Sequence, residues 1–181
     1  MTRRSFASLL TTACLLLSAV LPAQTAQREA SEYQVKAAFL YNFAKFVEWP
    51  DTAFTNPEAP MAFCVIGADP FGPSLDDLQG KRVKNRPVSI QRIDAPADAQ
   101  RCHVLFISSA DNHRMAEITA AVKGSPVLVV GDAERFARRG GTIGFLAERN
   151  RVAFEINAGA AKGAGLTVSS QLLKLARTVI E

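Results

Sequence analysis

The sequence predicts an α/β fold of three layers, with a mainly parallel sheet and an antiparallel C-terminal hairpin at its edge. Three observations carry this. Short apolar runs at residues 63–66, 102–108 and 126–130 have the length of strands and lack the polar alternation of a sheet face open to water. Helical stretches separate them, as crossovers between parallel strands require. Further on, Val152, Phe154 and Ile156 alternate with Ala153, Glu155 and Asn157, the period of an arm with one buried face. The simplest topology is flavodoxin-like, order 2-1-3-4-5 with one extra strand.

The chain opens with Arg3 and Arg4, then an uncharged, mostly apolar run over residues 6–21, then small residues at Ala23, Thr25 and Ala26. This is the layout of a secretory signal peptide. The apolar run, about 16 residues, is shorter than the ~20 needed to span a bilayer as an anchor. A lipoprotein reading would use Cys14, but the apolar run continues well past it. Residues 1–26 are therefore read as the signal, with cleavage placed loosely at 23–30, and residues 31–181 as one domain. Export changes the composition. The whole chain has 21 Lys+Arg against 17 Asp+Glu, a charge of +4, and three cysteines. Removing residues 1–26 takes Arg3, Arg4 and Cys14 and no acid, leaving 19 against 17, +2, and two cysteines. A nearly neutral chain lacks the clustered basic face that nucleic acid requires.

Residues 31–49 are expected to form the first helix, with Ser31 as N-cap and Val35, Ala38, Phe39, Asn42, Phe43, Phe46 and Val47 on one face. Pro50 ends it. Residues 62–67 form a buried strand, 69–73 a tight loop, 74–78 one or two helical turns, and 80–86 a polar, basic connection. Residues 88–93 suit a half-exposed strand and 96–100 a short helix. Strand 102–108 follows, then a helix from Asp111 or Asn112 to Lys123 with Met115, Ile118 and Val122 inward. Strand 126–130 leads to a short basic helix at 133–139, which Gly140-Gly141 terminates. Residues 142–147 and 151–157 make the hairpin. A small-residue helix at 158–164 and an amphipathic helix at 169–180 complete the chain.

The two remaining cysteines fit this topology. Cys64 lies near the start of the first strand and Cys102 at the start of the third. In a 2-1-3 order these strands are parallel neighbours, ~4.8 Å apart, so both residues fall within the ~4.4–6.8 Å Cα window of a disulfide. An oxidising compartment favours the bond. A purely structural role is the simpler reading, and a redox-sensing one the alternative.

Catalytic and metal-binding constellations are poor. His103 reads as a core residue within a strand, and His113 as solvated near a helix start. There is no HExxH, no zinc spacing, no GxSxG around Ser108-Ser109, and no GxGxxG in Gly140–Gly144. Asp69, Asp111 and Asp132 are too scattered for a phosphoacceptor cluster. No catalytic residue, metal or cofactor is assigned. By fold analogy alone, a small ligand would bind in the crevice at the strand carboxyl ends, at Asp69, Ser108, Ser109, Asp132 and Arg135. Arg135, Arg138 and Arg139 form a local basic cluster.

Residues 35–50 (VKAAFLYNFAKFVEWP) resemble the opening helix of the YfiR family. Residues 63–67 (FCVIG), 141–145 (GTIGF), 152–157 (VAFEIN), 164–166 (AGL) and 169–176 (SSQLLKLA) are similar to it as well, so the resemblance covers roughly 31–178. It implies a periplasmic, non-enzymatic signalling protein that represses an inner-membrane diguanylate cyclase by engaging its periplasmic sensor, lowering cyclic-di-GMP and restraining biofilm formation. It also implies an outer-membrane lipoprotein able to sequester the repressor, a homodimer, and disulfides, with Cys64 and Cys102 matching one family pair. A second family pair, near residues 135–150, has no cysteines here. Tyr41, Lys45 and Trp49, on the outer side of the opening helix, are candidate partner contacts. The alternative reading is a periplasmic small-ligand binder or sensor using the crevice.

Overall fold

A computed structural model describes residues 21–148 and 151–181. In chain order the elements are α1 (Leu21–Phe46), β1 (Val47–Glu48), β2 (Met61–Ile66), α2 (Pro73–Asp76), β3 (Arg82–Val83), β4 (Arg86–Ile93), β5 (Val104–Ile107), α3 (Met115–Ala121), β6 (Leu128–Gly131), β7 (Ile143–Glu148), β8 (Arg151–Asn157), α4 (Ala158–Gly163), β9 (Thr167–Val168), α5 (Ser170–Leu175) and β10 (Thr178–Ile180). Short 3-10 turns precede β2, β5, α3 and β7.

The fold is mixed α/β. Eight strands form one sheet in the order β10-β8-β7-β6-β5-β2-β4-β3, and β1 pairs with β9 separately. Pairing is parallel from β4 through β2, β5 and β6 to β7. This is the 2-1-3-4-5 order expected for the first five main strands. Alternate side chains of β2 enter two separate buried clusters. Met61, Phe63 and Val65 join α1, β7 and β8 residues, whereas Ala62, Cys64 and Ile66 join Met115, Ile118 and Val122 from α3 and its end. Burial of both pleat faces is why β2 and β5 read as unbroken apolar runs.

The opening helix differs from expectation in extent and in rotation. It runs from Leu21 straight through Ser31, which is an interior residue and not a cap. It stops at Phe46 because Val47 and Glu48 pair antiparallel with Val168 and Thr167 of β9, and Ser169 N–H donates to the Phe46 carbonyl. Its buried stripe is Tyr33, Lys36, Ala37, Leu40, Phe43 and Ala44, while Val35, Ala38 and Asn42 are exposed. The helix carries two overlapping apolar stripes. The one that wins includes a lysine, because that lysine has a buried carboxylate to meet.

Three further expectations are corrected. Residues 80–86 contain a strand, β3, joined to β4 through Lys84 and Asn85, both at positive φ as a two-residue hairpin turn requires. The helix after β5 begins with a 3-10 turn capped by the Ser108 hydroxyl, which accepts from Ala110 N–H, so neither Asp111 nor Asn112 is the cap. The last segment is not one helix. Ala176 is extended, Arg177 N–H donates to the Phe154 carbonyl, and Thr178–Ile180 pairs parallel with β8. Three residues, two of them β-branched to either side of Val179 and Val179 branched as well, favour strand over helix. Consequently β7 and β8, which are antiparallel to one another, do not lie at the sheet edge: β10 does. The turn at Arg149-Asn150 lies outside the described residues.

Cys64 and Cys102 form a disulfide, with Cα atoms 5.9 Å apart. The neighbouring strand arrangement of β2 and β5 brings them there. Both are buried.

Candidate functional site

The site is centred on Asp132, the residue that follows β6 at the carboxyl end of the sheet. Its carboxylate accepts from Tyr33 Oη at 2.7 Å, from Lys36 Nζ at 2.7 Å and from Ser109 N–H at 2.8 Å. The side chains of Lys36 and Asp132 are each 6% exposed. Lys36 also reaches Glu32, one turn earlier, at 2.8 Å, and its ammonium lies 4.2 Å from the Tyr33 ring centroid. Burial, followed by the adjacent Asp132 carboxylate, pushes the Tyr33 phenol well above its ordinary value, so it stays a donor. Tyr33, Lys36 and Leu40 stand on one helix face through their i, i+3, i+7 spacing. The helix therefore seats its polar end on the strand termini and its apolar end on the core.

A second carboxylate lies in the 3-10 turn after β5. Asp111, also buried, accepts from Ala68 N–H at 3.0 Å. Gly67 passes so close that a Cβ there would come within 2.4 Å of the Asp111 carboxylate, at a φ of +73° that side chains rarely adopt. Asp69 faces elsewhere. One oxygen accepts from Phe71 N–H, closing the tight loop, and the other pairs with Arg92 at 2.8 Å. Arg92 also meets Asp76, and these two carboxylates, Asp76 first, raise its pKa further.

Of the five residues expected to line a ligand crevice, the structure thus brings together Ser109 and Asp132. Ser108 is buried and spends its hydroxyl on a cap. Asp69 is committed to Arg92, and Arg135 is exposed at a positive φ of 57°. The sequence reading missed Tyr33, Lys36 and Asp111. A lysine inside the buried stripe of α1 was the available signal, since a buried charge demands a partner.

The three expected partner contacts differ among themselves. Tyr41 is half-buried, and its hydroxyl donates to the Arg82 carbonyl at 2.9 Å. Lys45 is exposed, 5.0 Å from the Tyr41 ring centroid. Trp49 lies beyond the helix end and packs on the first cluster. Its buried indole N–H has no hydrogen-bond partner among the described residues.

At the opposite, amino end of the strands, His103 is half-buried rather than fully enclosed. Nδ1 accepts from Ala62 N–H and Nε2 donates to the Ala53 carbonyl, each at 3.0 Å. Phe54 stacks on the ring at 4.4 Å. An open cleft of about 420 Å³ adjoins it, lined in part by Phe54, Gln91, Arg101 and Cys102. Burial, the largest cause, lowers the His103 pKa below the ordinary 6.5. The unfolded chain therefore takes up the proton first. His103 supports the fold above pH 6.5, and this support is lost as pH falls through the lowered folded value. The melting temperature is expected to drop between pH 7 and mild acid more steeply in the native chain than in His103→Gln, as thermal melts across that range will read.

Among the described residues no helix is long and apolar enough to cross a membrane, and no group of three His, Cys, Asp or Glu could hold a metal ion. A family model described as YfiR/HmsC-like matches residues 33–177. No curated protein matches the chain.

Proposed function

The chain belongs to the YfiR/HmsC-like family, and on that premise we propose that it is an exported, non-enzymatic regulator of cyclic-di-GMP signalling. It binds the periplasmic part of an inner-membrane sensor, a diguanylate cyclase, and represses it by stoichiometric occupancy. The signal peptide over residues 1–26 is removed on export. An outer-membrane lipoprotein is a second partner, competing for the regulator, and the working unit is a homodimer. The same reading takes the sheet, with a buried cluster on each face, as a three-layer flavodoxin-like scaffold.

The family match over residues 33–177 carries this reading. The Cys64–Cys102 bond supports an oxidising compartment. The saturation of Asp132 by Tyr33, Lys36 and Ser109 supports protein binding over small-ligand binding, because the crevice's central acceptor is occupied by the chain itself. Tyr41, Lys45 and Trp49 are the proposed contact surface. Trp49 offers a partly exposed aromatic body at the end of the helix.

Deleting the gene is expected to raise cyclic-di-GMP, and tagged protein to recover a cyclase from solubilised inner membranes. Lys45→Glu is expected to weaken that recovery while leaving the melting temperature unchanged. Unaltered cyclic-di-GMP on deletion, together with no sensor recovered, would sink the proposal.

A further inference from the structure

The two edges of the main sheet are treated differently. Beyond β4, the chain covers its own edge. β3 pairs with Arg86 and Pro87, Gly80 N–H donates to the Val88 carbonyl, Val88 N–H donates to the Lys81 carbonyl, and the Gln79 side chain accepts from Ile90 N–H at 2.8 Å. This is the usual protection of an edge strand against pairing with other chains. At the other end, β10 is the outermost strand among the described residues. It has no bulge, proline or lysine within Thr178–Ile180, and its side chains have high β propensity. Large exposed apolar side chains among the described residues are Val35, Leu175 and Val179. Two of the three belong to this edge strand and the end of α5 before it, with Leu175 68% and Val179 40% exposed.

We infer that the β10 edge is a self-pairing surface, on which a second copy of this chain lays its own β10 antiparallel about a two-fold axis at Val179. The charge pattern selects this occupant. With Val179 opposite Val179, Thr178 falls opposite Ile180, and Arg177 opposite Glu181 of the second copy. Symmetry repeats each pairing, giving two opposite-charge pairs that bracket an apolar centre. A parallel arrangement would put like charges together. Arg177 is free to swing, since its side chain is 65% exposed and its contact with Glu148 is loose, at 3.7 Å. A three-residue ribbon buries little area, so the association is concentration-dependent. The inference deepens the homodimer of the reading above, and it stands or falls separately from the cyclase partner.

Sedimentation velocity on the exported chain, over a wide concentration range, tests it. The native protein is expected to pass from monomer to dimer. Glu181→Arg places four like charges around the axis and is expected to weaken the dimer about tenfold. Arg177→Glu combined with Glu181→Arg restores the pairing with reversed signs, and affinity returns. Val179→Lys abolishes association without lowering the melting temperature. A monomer at every concentration overturns the inference. So does a dimer indifferent to Glu181→Arg and Val179→Lys, which would put the interface elsewhere. Loss of cyclase binding with the dimer intact would count against the regulator reading alone.

Discussion

Lys36→Met is expected to destabilise the fold by about 3–5 kcal/mol, the range for removing one partner of a buried ion pair. The methionine matches the length of the lysine stem, so packing on Leu40 and the neighbouring aromatics is largely retained. The loss comes from Asp132. Its side chain stays 6% exposed, with only the Tyr33 hydroxyl and the Ser109 amide to satisfy a full negative charge. Pairing with Asn separates charge from shape. In Lys36→Met/Asp132→Asn the buried charge is gone, while the amide oxygen can accept from Ser109 N–H and the amide nitrogen can donate to the Tyr33 hydroxyl oxygen. The double variant is expected to recover a substantial part of the loss, a coupling that urea unfolding of both single variants and the double will measure. A single-variant cost below about 1 kcal/mol, the level of an exposed pair, would show that the pair does not anchor the helix. Since α1 carries Tyr41 and Lys45 on the same rigid body, a loosened helix is also expected to weaken partner binding.

The second large effect is loss of the Cys64–Cys102 bond. The bond joins residues 38 apart, and closing such a loop in the unfolded chain is worth about 4 kcal/mol on the chain-entropy model. Cys64→Ala/Cys102→Ala should therefore unfold at markedly lower urea. Cys64 is 2% and Cys102 3% exposed. A thiol reductant reaches the sulfurs only when the region opens. Reduction under native conditions is expected to be slow and to accelerate with sub-denaturing urea. Rapid reduction in buffer alone would favour a redox-sensing role over the structural one.

The central strands β2, β5 and β6 were legible because they are short, fully buried and rich in Val, Ile, Leu and Phe, so the runs at residues 63–66, 102–108 and 126–130 announce themselves without any tertiary context. The cysteine pairing followed from strand order together with the expected export. What sequence periodicity could not settle were choices between equally apolar alternatives. In α1, the stripe through Val35, Ala38 and Asn42 competes with the one through Tyr33, Lys36, Leu40 and Ala44, and the decision rests on Lys36 meeting Asp132, 96 residues away. Residues 172–180 satisfy a helical stripe as well as the strand they partly form, and the Arg177 bond to Phe154 decides it. The β3–β4 hairpin turns on Lys84 and Asn85 without a glycine, so its usual signature is missing. The partners of Asp132 were hidden for the same reason as the rotation of α1. Asp132 is filled from a helix whose inward lysine no apolar periodicity would select.

The antiparallel clasp between β1 and β9 has a temporal consequence. Val47 waits for Val168, and Lys36 waits for Asp132, so the first helix to be synthesised is among the last to be fastened. A chain with such widely separated contacts folds slowly, and its opening segment remains undocked until nearly all of the sequence has been delivered. On the proposed export, that lag leaves the leading segment with nothing to dock onto until the rest of the chain has followed.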